Sequence, residues 1–143
     1  MNQKQLRRPF QDAIYSVKNY IDQHPLDIKP IHELITKTHS QIGINLLHRG
    51  FRELFGAGIK EYELKKRLEA AARLLQQDEL TMQQITDLCG YSSQSAFVRA
   101  FKDLYGVTPG QWRNKYAPPL WNRVTNGNVT YIQLNSFLEP AAV

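Results

Sequence analysis

Arg49 and Arg99 stand fifty positions apart in matching surroundings. A guanidinium presents a rigid fork of N–H donors, suited to the paired acceptors of a guanine edge or to a phosphate. Asn45, Leu46 and His48 precede the first arginine, and Gln94, Ser95 and Val98 precede the second. Asn and Gln can pair with adenine, while Leu and Val can touch a thymine methyl. Arg52 and Lys102 follow about one helical turn later and suit phosphate, as does Ser93 at a helix N-terminus. Taken singly, each of these side chains could also be ordinary solvated surface.

The other reactive side chains lack partners. His24, His32, His39 and His48 show no paired metal-ligand spacing, and Cys89, the single cysteine, has no second thiol for a zinc site or a disulfide. Beside Gly90, Cys89 suits packing in a tight turn better than nucleophilic chemistry. Gly56-Ala57-Gly58 follows no strand and is not a phosphate loop. Neither a cofactor, a metal nor an enzymatic activity is expected.

The elements that position these residues follow from an internal repeat. Shifting the chain by fifty residues aligns 31 ungapped positions from Ile35 to Lys65, with seven identities and five similarities. The identities are Ile35/Ile85, Thr36/Thr86, Arg49/Arg99, Phe51/Phe101, Leu54/Leu104, Gly56/Gly106 and Lys65/Lys115. Leu47/Phe97, Arg52/Lys102 and Tyr62/Trp112 are among the similar pairs. Two copies of one small module are present.

In the second copy, Thr81 with Gln84 reads as a capping box opening a helix, on which Ile85 and Leu88 share a face. Gly90 stops it. Ser92 or Ser93 caps the next helix, where Phe97, Ala100, Phe101 and Leu104 recur at the helical period until Gly106. Thr108-Pro109 opens a further short helix to Tyr116. In the first copy, Pro30 starts a helix carrying Ile31, Leu34 and Ile35, and a polar turn, Thr38 to Gln41, leads to a helix with Leu47 and Phe51. Gly50, the counterpart of Ala100, suggests close packing. Phe10, Ile14, Val17 and Ile21 give a leading amphipathic helix closed by Pro25. Between the modules, Leu64, Leu68, Ala71, Ala72 and Leu75 form the apolar stripe of a helix from about Lys60 to Gln77. Leu47, Phe51, Phe97, Phe101, Tyr62 and Trp112 are assigned to core.

Two helices at a tight turn, the second with a polar and basic free face, make the helix-turn-helix plan for entering a DNA major groove. Any three-helix core shares this pattern, but duplication adds geometric content. A connecting helix of about 18 residues spans roughly 27 Å, close to the ~34 Å between successive major grooves on one face of DNA. One chain could then read two half-sites without dimerising, with DNA bending making up any shortfall.

The run Arg67-Leu68-Glu69-Ala70-Ala71-Ala72-Arg73-Leu74-Leu75, then Ile85 to Lys102 with Asp87-Leu88-Cys89-Gly90-Tyr91-Ser92-Ser93 at its turn, then Tyr105-Gly106-Val107-Thr108-Pro109, resembles the signature of the AraC/XylS family of bacterial transcription regulators. The resemblance covers about 109 of the 143 residues and is sharper in the second half. In the first module, the turn from Thr38 to Gly43 departs from the family pattern. The resemblance implies two helix-turn-helix subdomains on adjacent major-groove segments and activation through contacts with RNA polymerase. It also implies that the third helix of each subdomain reads DNA, here about Ile44 to Phe55 and Ser93 to Tyr105. Members commonly carry a separate sensory domain, for which 143 residues leave no room. The chain is then either the DNA-binding piece of a longer regulator or a small stand-alone member.

Composition agrees with this outline. At 42% apolar and 22% charged the chain can bury a core, and 18 basic against 13 acidic residues give a net charge of +5 that favours polyanionic partners. No run approaches the roughly 18 apolar residues of a membrane span, and no apolar stretch follows the basic start, so a cytoplasmic protein with no membrane partner is expected. Lys60, Lys65, Lys66, Arg67 and Arg73 make the linker basic, but Glu61, Glu63 and Glu69 are interleaved. Pairs such as Glu63 with Arg67 and Glu69 with Arg73 favour a solvated face.

The expected fold is all-α, with two homeodomain-like helix-turn-helix subdomains at 8–57 and 79–116 and a linker helix at 58–78. Residues 117–143 form a β-hairpin about Asn126-Gly127 or a flexible tail. The expected function is a monomeric, sequence-specific reader of double-stranded DNA. A helical module that docks on polymerase or a partner regulator without reading DNA is the alternative.

Overall fold

The computed structural model describes residues 3–27, 29–37 and 42–117. Among the described residues seven helices follow one another: α1 (Gln3–Gln23), α2 (Ile31–Lys37), α3 (Ile44–Phe55), α4 (Ile59–Gln77), α5 (Met82–Leu88), α6 (Gln94–Tyr105) and α7 (Pro109–Tyr116). Their ends are set by local chemistry. Thr81 Oγ1 accepts the Gln84 N–H at 3.1 Å, and Gln84 Oε1 accepts the Thr81 N–H at 2.8 Å. Thr108 and Gln111 repeat this reciprocal cap at α7, at 3.2 and 2.9 Å. Each satisfies two N–H groups that a helix start leaves without partners. At the far ends of α3 and α6, Gly56 and Gly106 adopt left-handed φ values of 71° and 74°, and their N–H groups return to the carbonyls of Arg52 and Lys102. Only glycine takes that conformation without a steric cost.

The apolar stripes close two cores. Ile14, Val17 and Ile21 of α1 meet Leu34, Leu47, Phe51 and Ile59 in the first. In the second, Leu68, Ala71, Ala72 and Leu75 of α4 meet Ile85, Cys89, Phe97 and Phe101. Helix α4 therefore gives its first turn to one core and its later turns to the other. Gly50 lies where α3 crosses α1: a Cβ there would stand 2.5 Å from Phe10 Cζ and still closer to Ile14 Cδ1.

Both ends of α4 are also tied by polar contacts. Asp22 of α1 accepts from Tyr62 Oη and from Lys18 Nζ, the latter at 2.6 Å. Burial pushes the Asp22 carboxyl up, but these two hydrogen bonds and the nearby Lys66 charge outweigh it and hold the group below its ordinary range. At the other end Trp112 Nε1 donates to the Ala72 carbonyl at 3.2 Å, and Arg113 Nη2 donates to the Leu80 carbonyl at 2.6 Å. Arg113 also pairs with Asp78 at 3.2 Å.

Three leucines placed on core stripes by periodicity are instead exposed: Leu64, Leu88 and Leu104, at 40%, 46% and 41%. Leu64 lies between the two cores, where neither module covers it. At the ends of α3 and α6 the aromatic side chain four residues after the core phenylalanine takes the packed position. Phe55 stacks edge-on against Tyr15, and Tyr105 packs on Trp112, leaving Leu54 and Leu104 outside. Glu69 pairs back to Lys66 at 3.1 Å rather than on to Arg73. Helix α1 starts at Gln3, ahead of the apolar series that begins at Phe10, and contains Pro9. The turn at Thr38 to Gln41 and the hairpin or tail after Ala117 lie outside the described residues.

Candidate nucleic-acid interface

Helices α3 and α6 carry every candidate side chain named from the sequence except Ser93, which caps α6. Helix α6 is held from behind by the fully buried Phe97 and Phe101. Its opposite face is left to Gln94, Ser95, Val98, Arg99 and Lys102, which together line an open depression of about 500 Å³. Gln94, Ser95, Arg99 and Lys102 are exposed and Val98 is half-buried. Ser93 Oγ accepts the Ala96 N–H at 3.2 Å, which leaves its hydroxyl proton free to donate outward.

Helix α3 repeats the arrangement on Leu47 and Phe51, both fully buried. Asn45, Leu46, Arg49 and Arg52 are exposed. His48 is half-buried and is among the residues lining a cleft of about 770 Å³, with Ile31, Ile59, Lys60, Glu63 and Arg67. Its environment thus differs from that of its repeat partner Val98. Ile44, the counterpart of Gln94, is 40% exposed at the start of α3. It was not among the candidates, although the fifty-residue register could have supplied it. At this helix start Gly43 provides no side-chain cap, unlike Ser93 at α6.

The charges on this face are unequal. Among the described residues no carboxylate lies within ion-pair distance of Arg49, Arg99 or Lys102, whereas Arg52 Nη2 lies 3.7 Å from Glu61 Oε1. On α4, burial pushes the Glu63 carboxyl up, opposed by the charges of Arg67 and Lys60. Cys89 is fully buried and burial raises its thiol to about 11. The described residues contain no group of three His, Cys, Asp or Glu able to hold a metal ion, and no helix long and apolar enough to cross a membrane.

Two helix-turn-helix modules, each offering one exposed polar helix and joined by a helix that packs into both cores, define a tandem helix-turn-helix protein. The family model described as "Helix-turn-helix domain" matches residues 37–115. The chain belongs to the AraC/XylS family of transcription regulators. A probable transcriptional regulator of Photobacterium leiognathi, LumQ, is 31% identical over 100 residues, covering 68% of this chain and 38% of the relative. The F1 operon positive regulatory protein of Yersinia pestis is 32% identical over 112 residues, covering 78% and 36%. The chain therefore spans little more than a third of the length of these two relatives. Among solved structures, an AraC-type DNA-binding regulator of Chromobacterium violaceum superposes with a TM-score of 0.67 at 24% identity, over 76% of this chain and 96% of that one. The DNA-binding domain of AdpA, solved with a target DNA, does so at 0.63 and 21%, over 72% and 91%. These two likenesses concern the fold.

Proposed function

We propose that this chain is a sequence-specific reader of double-stranded DNA, a transcription regulator acting as an activator, that sets α3 and α6 into two successive major-groove segments. The observation that carries the reading is the duplicated exposed face. Arg49 and Arg99 occupy equivalent, exposed positions, with no carboxylate in ion-pair distance among the described residues, on helices whose opposite sides are locked into separate cores. In this reading the two arginines make bidentate base or phosphate contacts, and Asn45, Gln94 and Ser95 read base edges. Ile44, Leu46 and Val98 touch thymine methyls, while Arg52, Lys102 and Ser93 bind phosphate. His48, half-buried beside Arg49, takes the remaining groove-facing slot of α3.

Residues 8–57 and 79–116 act as the two reading units, with 58–78 as the spacer. At 19 residues, α4 is about 28 Å long, short of the ~34 Å groove repeat, so a modest bend in the DNA brings both helices into register. One chain suffices for a site of about 20 base pairs. Contact with RNA polymerase and a cytoplasmic location follow from the family role, and the Yersinia relative is named as a positive regulator. No catalytic step is assigned.

Replacing Arg49 and Arg99 by Ala tests the assignment. Each substitution should weaken specific binding by roughly 1–3 kcal/mol while leaving helical content and unfolding temperature unchanged. Full retention of specific binding in the double variant would reject these arginines as readers. If such a variant also bound polymerase normally, the protein-docking alternative would be favoured.

A further inference from the structure

The two modules share a scaffold but differ in one charge beside the phosphate-facing cation. Glu61 stands at the third position of α4, where Oε2 accepts the Gly58 N–H at 3.3 Å and Oε1 faces Arg52 Nη2 at 3.7 Å. One carboxylate thereby caps α4 and pairs with the last turn of α3. Gly58 leaves the space for this pair, since a Cβ there would stand 2.8 Å from Arg52 Nη2. Fifty residues on, the equivalent positions are Lys102, Thr108 and Gln111. Gln111 Oε1 accepts the Thr108 N–H at 2.9 Å in the same capping role, but it is uncharged. Among the described residues no carboxylate lies within ion-pair distance of Lys102.

We propose that Glu61 is an affinity-setting residue that holds the Arg52 guanidinium in the unbound protein, so that the first module grips phosphate more weakly than the second. The inference rests on the DNA reading above. A phosphate approaching Arg52 must displace Glu61 or lie beside its negative charge, and one approaching Lys102 meets neither obstacle. The second module then anchors the chain, and the first adds sequence preference with little nonspecific grip. Such an imbalance lets one module stay on the duplex while the other samples bases.

Glu61→Gln removes the charge and keeps the cap, as Gln111 does in the second module. The measurement is the dissociation constant of the whole chain for a nonspecific duplex of about 20 base pairs across a salt series. With an exposed pair released, binding at about 0.1 M salt should tighten roughly two- to fivefold. The plot of log K against log salt should steepen by up to about 0.9, the equivalent of one added phosphate contact. In an Arg52→Ala background the same change should have almost no effect, and the converse Gln111→Glu should loosen binding by a similar factor. Unchanged binding in Glu61→Gln would overturn the proposal while leaving the DNA reading standing. Equal tightening with and without Arg52 would also overturn it, because the effect would then be loss of a distant negative charge. If the unaltered chain binds no duplex, the DNA reading falls and the proposal falls with it.

Discussion

At the scale of single residues, side-chain chemistry is legible where a residue acts through its own type and immediate neighbours. Cys89 is such a case. A lone thiol beside a turn glycine suits packing, and the structure buries it completely in the second core, with the thiol raised to about 11. Because the folded value lies above the ordinary one, the thiolate is disfavoured in the native state. Alkylation at pH 8 should then be on the order of a hundredfold slower than in the denatured chain. Comparable rates in the two states would show that the site opens readily. Arg52 was harder to read. Its partner Glu61 lies nine positions away, across the turn at Gly56 to Gly58, and no i,i+4 rule on a single helix reveals a pair that spans two helices. Glu69 differs, because both of its possible partners lie on its own helix. The i,i+4 rule offered it Arg73, but i,i+3 neighbours are also in reach, and there it found Lys66.

At the scale of elements, boundaries were clear where capping is written in the sequence. Thr81 with Gln84, Ser93, Thr108 with Pro109, and the left-handed Gly56 and Gly106 all mark helix ends by interactions within four residues. The α3 start lacks such a mark, since Gly43 has no side chain to cap with, and the boundary at Ile44 came from the family resemblance rather than from a local cap. Periodicity alone overassigned the core. Leu104 satisfies the helical period, but Tyr105 brings a larger ring to Trp112 and takes the packed site, as Phe55 does beside Leu54 in the first copy. Gly50 is the element-scale prediction. Gly50→Ala should gain about 1 kcal/mol of helix propensity and lose roughly 1–3 kcal/mol to overpacking, because Ile14 is fully buried and cannot move aside. The expected net is a loss of roughly 1 kcal/mol in urea unfolding. A more stable variant would mean that α1 and α3 separate without strain.

At the scale of the whole molecule, the informative features were the fifty-residue repeat and the length of the helix between its copies. The repeat implied two modules, and the structure gives each its own core, with α4 contributing to both. What the sequence did not reveal is how firmly α4 is held. That depends on contacts forty residues apart, Tyr62 with Asp22 at one end and Trp112 with Ala72 at the other, which no local pattern encodes. These ties make the distance between α3 and α6 a property of the fold rather than of a flexible link, so the spacing of the two DNA contacts should be fixed. Selection of bound duplexes from a randomised pool at near-physiological salt, followed by sequencing, tests this most directly. The expected result is two enriched sequence blocks whose centres lie about one helical turn, ~10–10.5 base pairs, apart at constant spacing. Enrichment of a single block, or of two blocks at variable spacing, would contradict a rigid two-helix reader. Absence of enrichment, with binding that fades as salt rises, would leave only nonspecific attraction to the duplex.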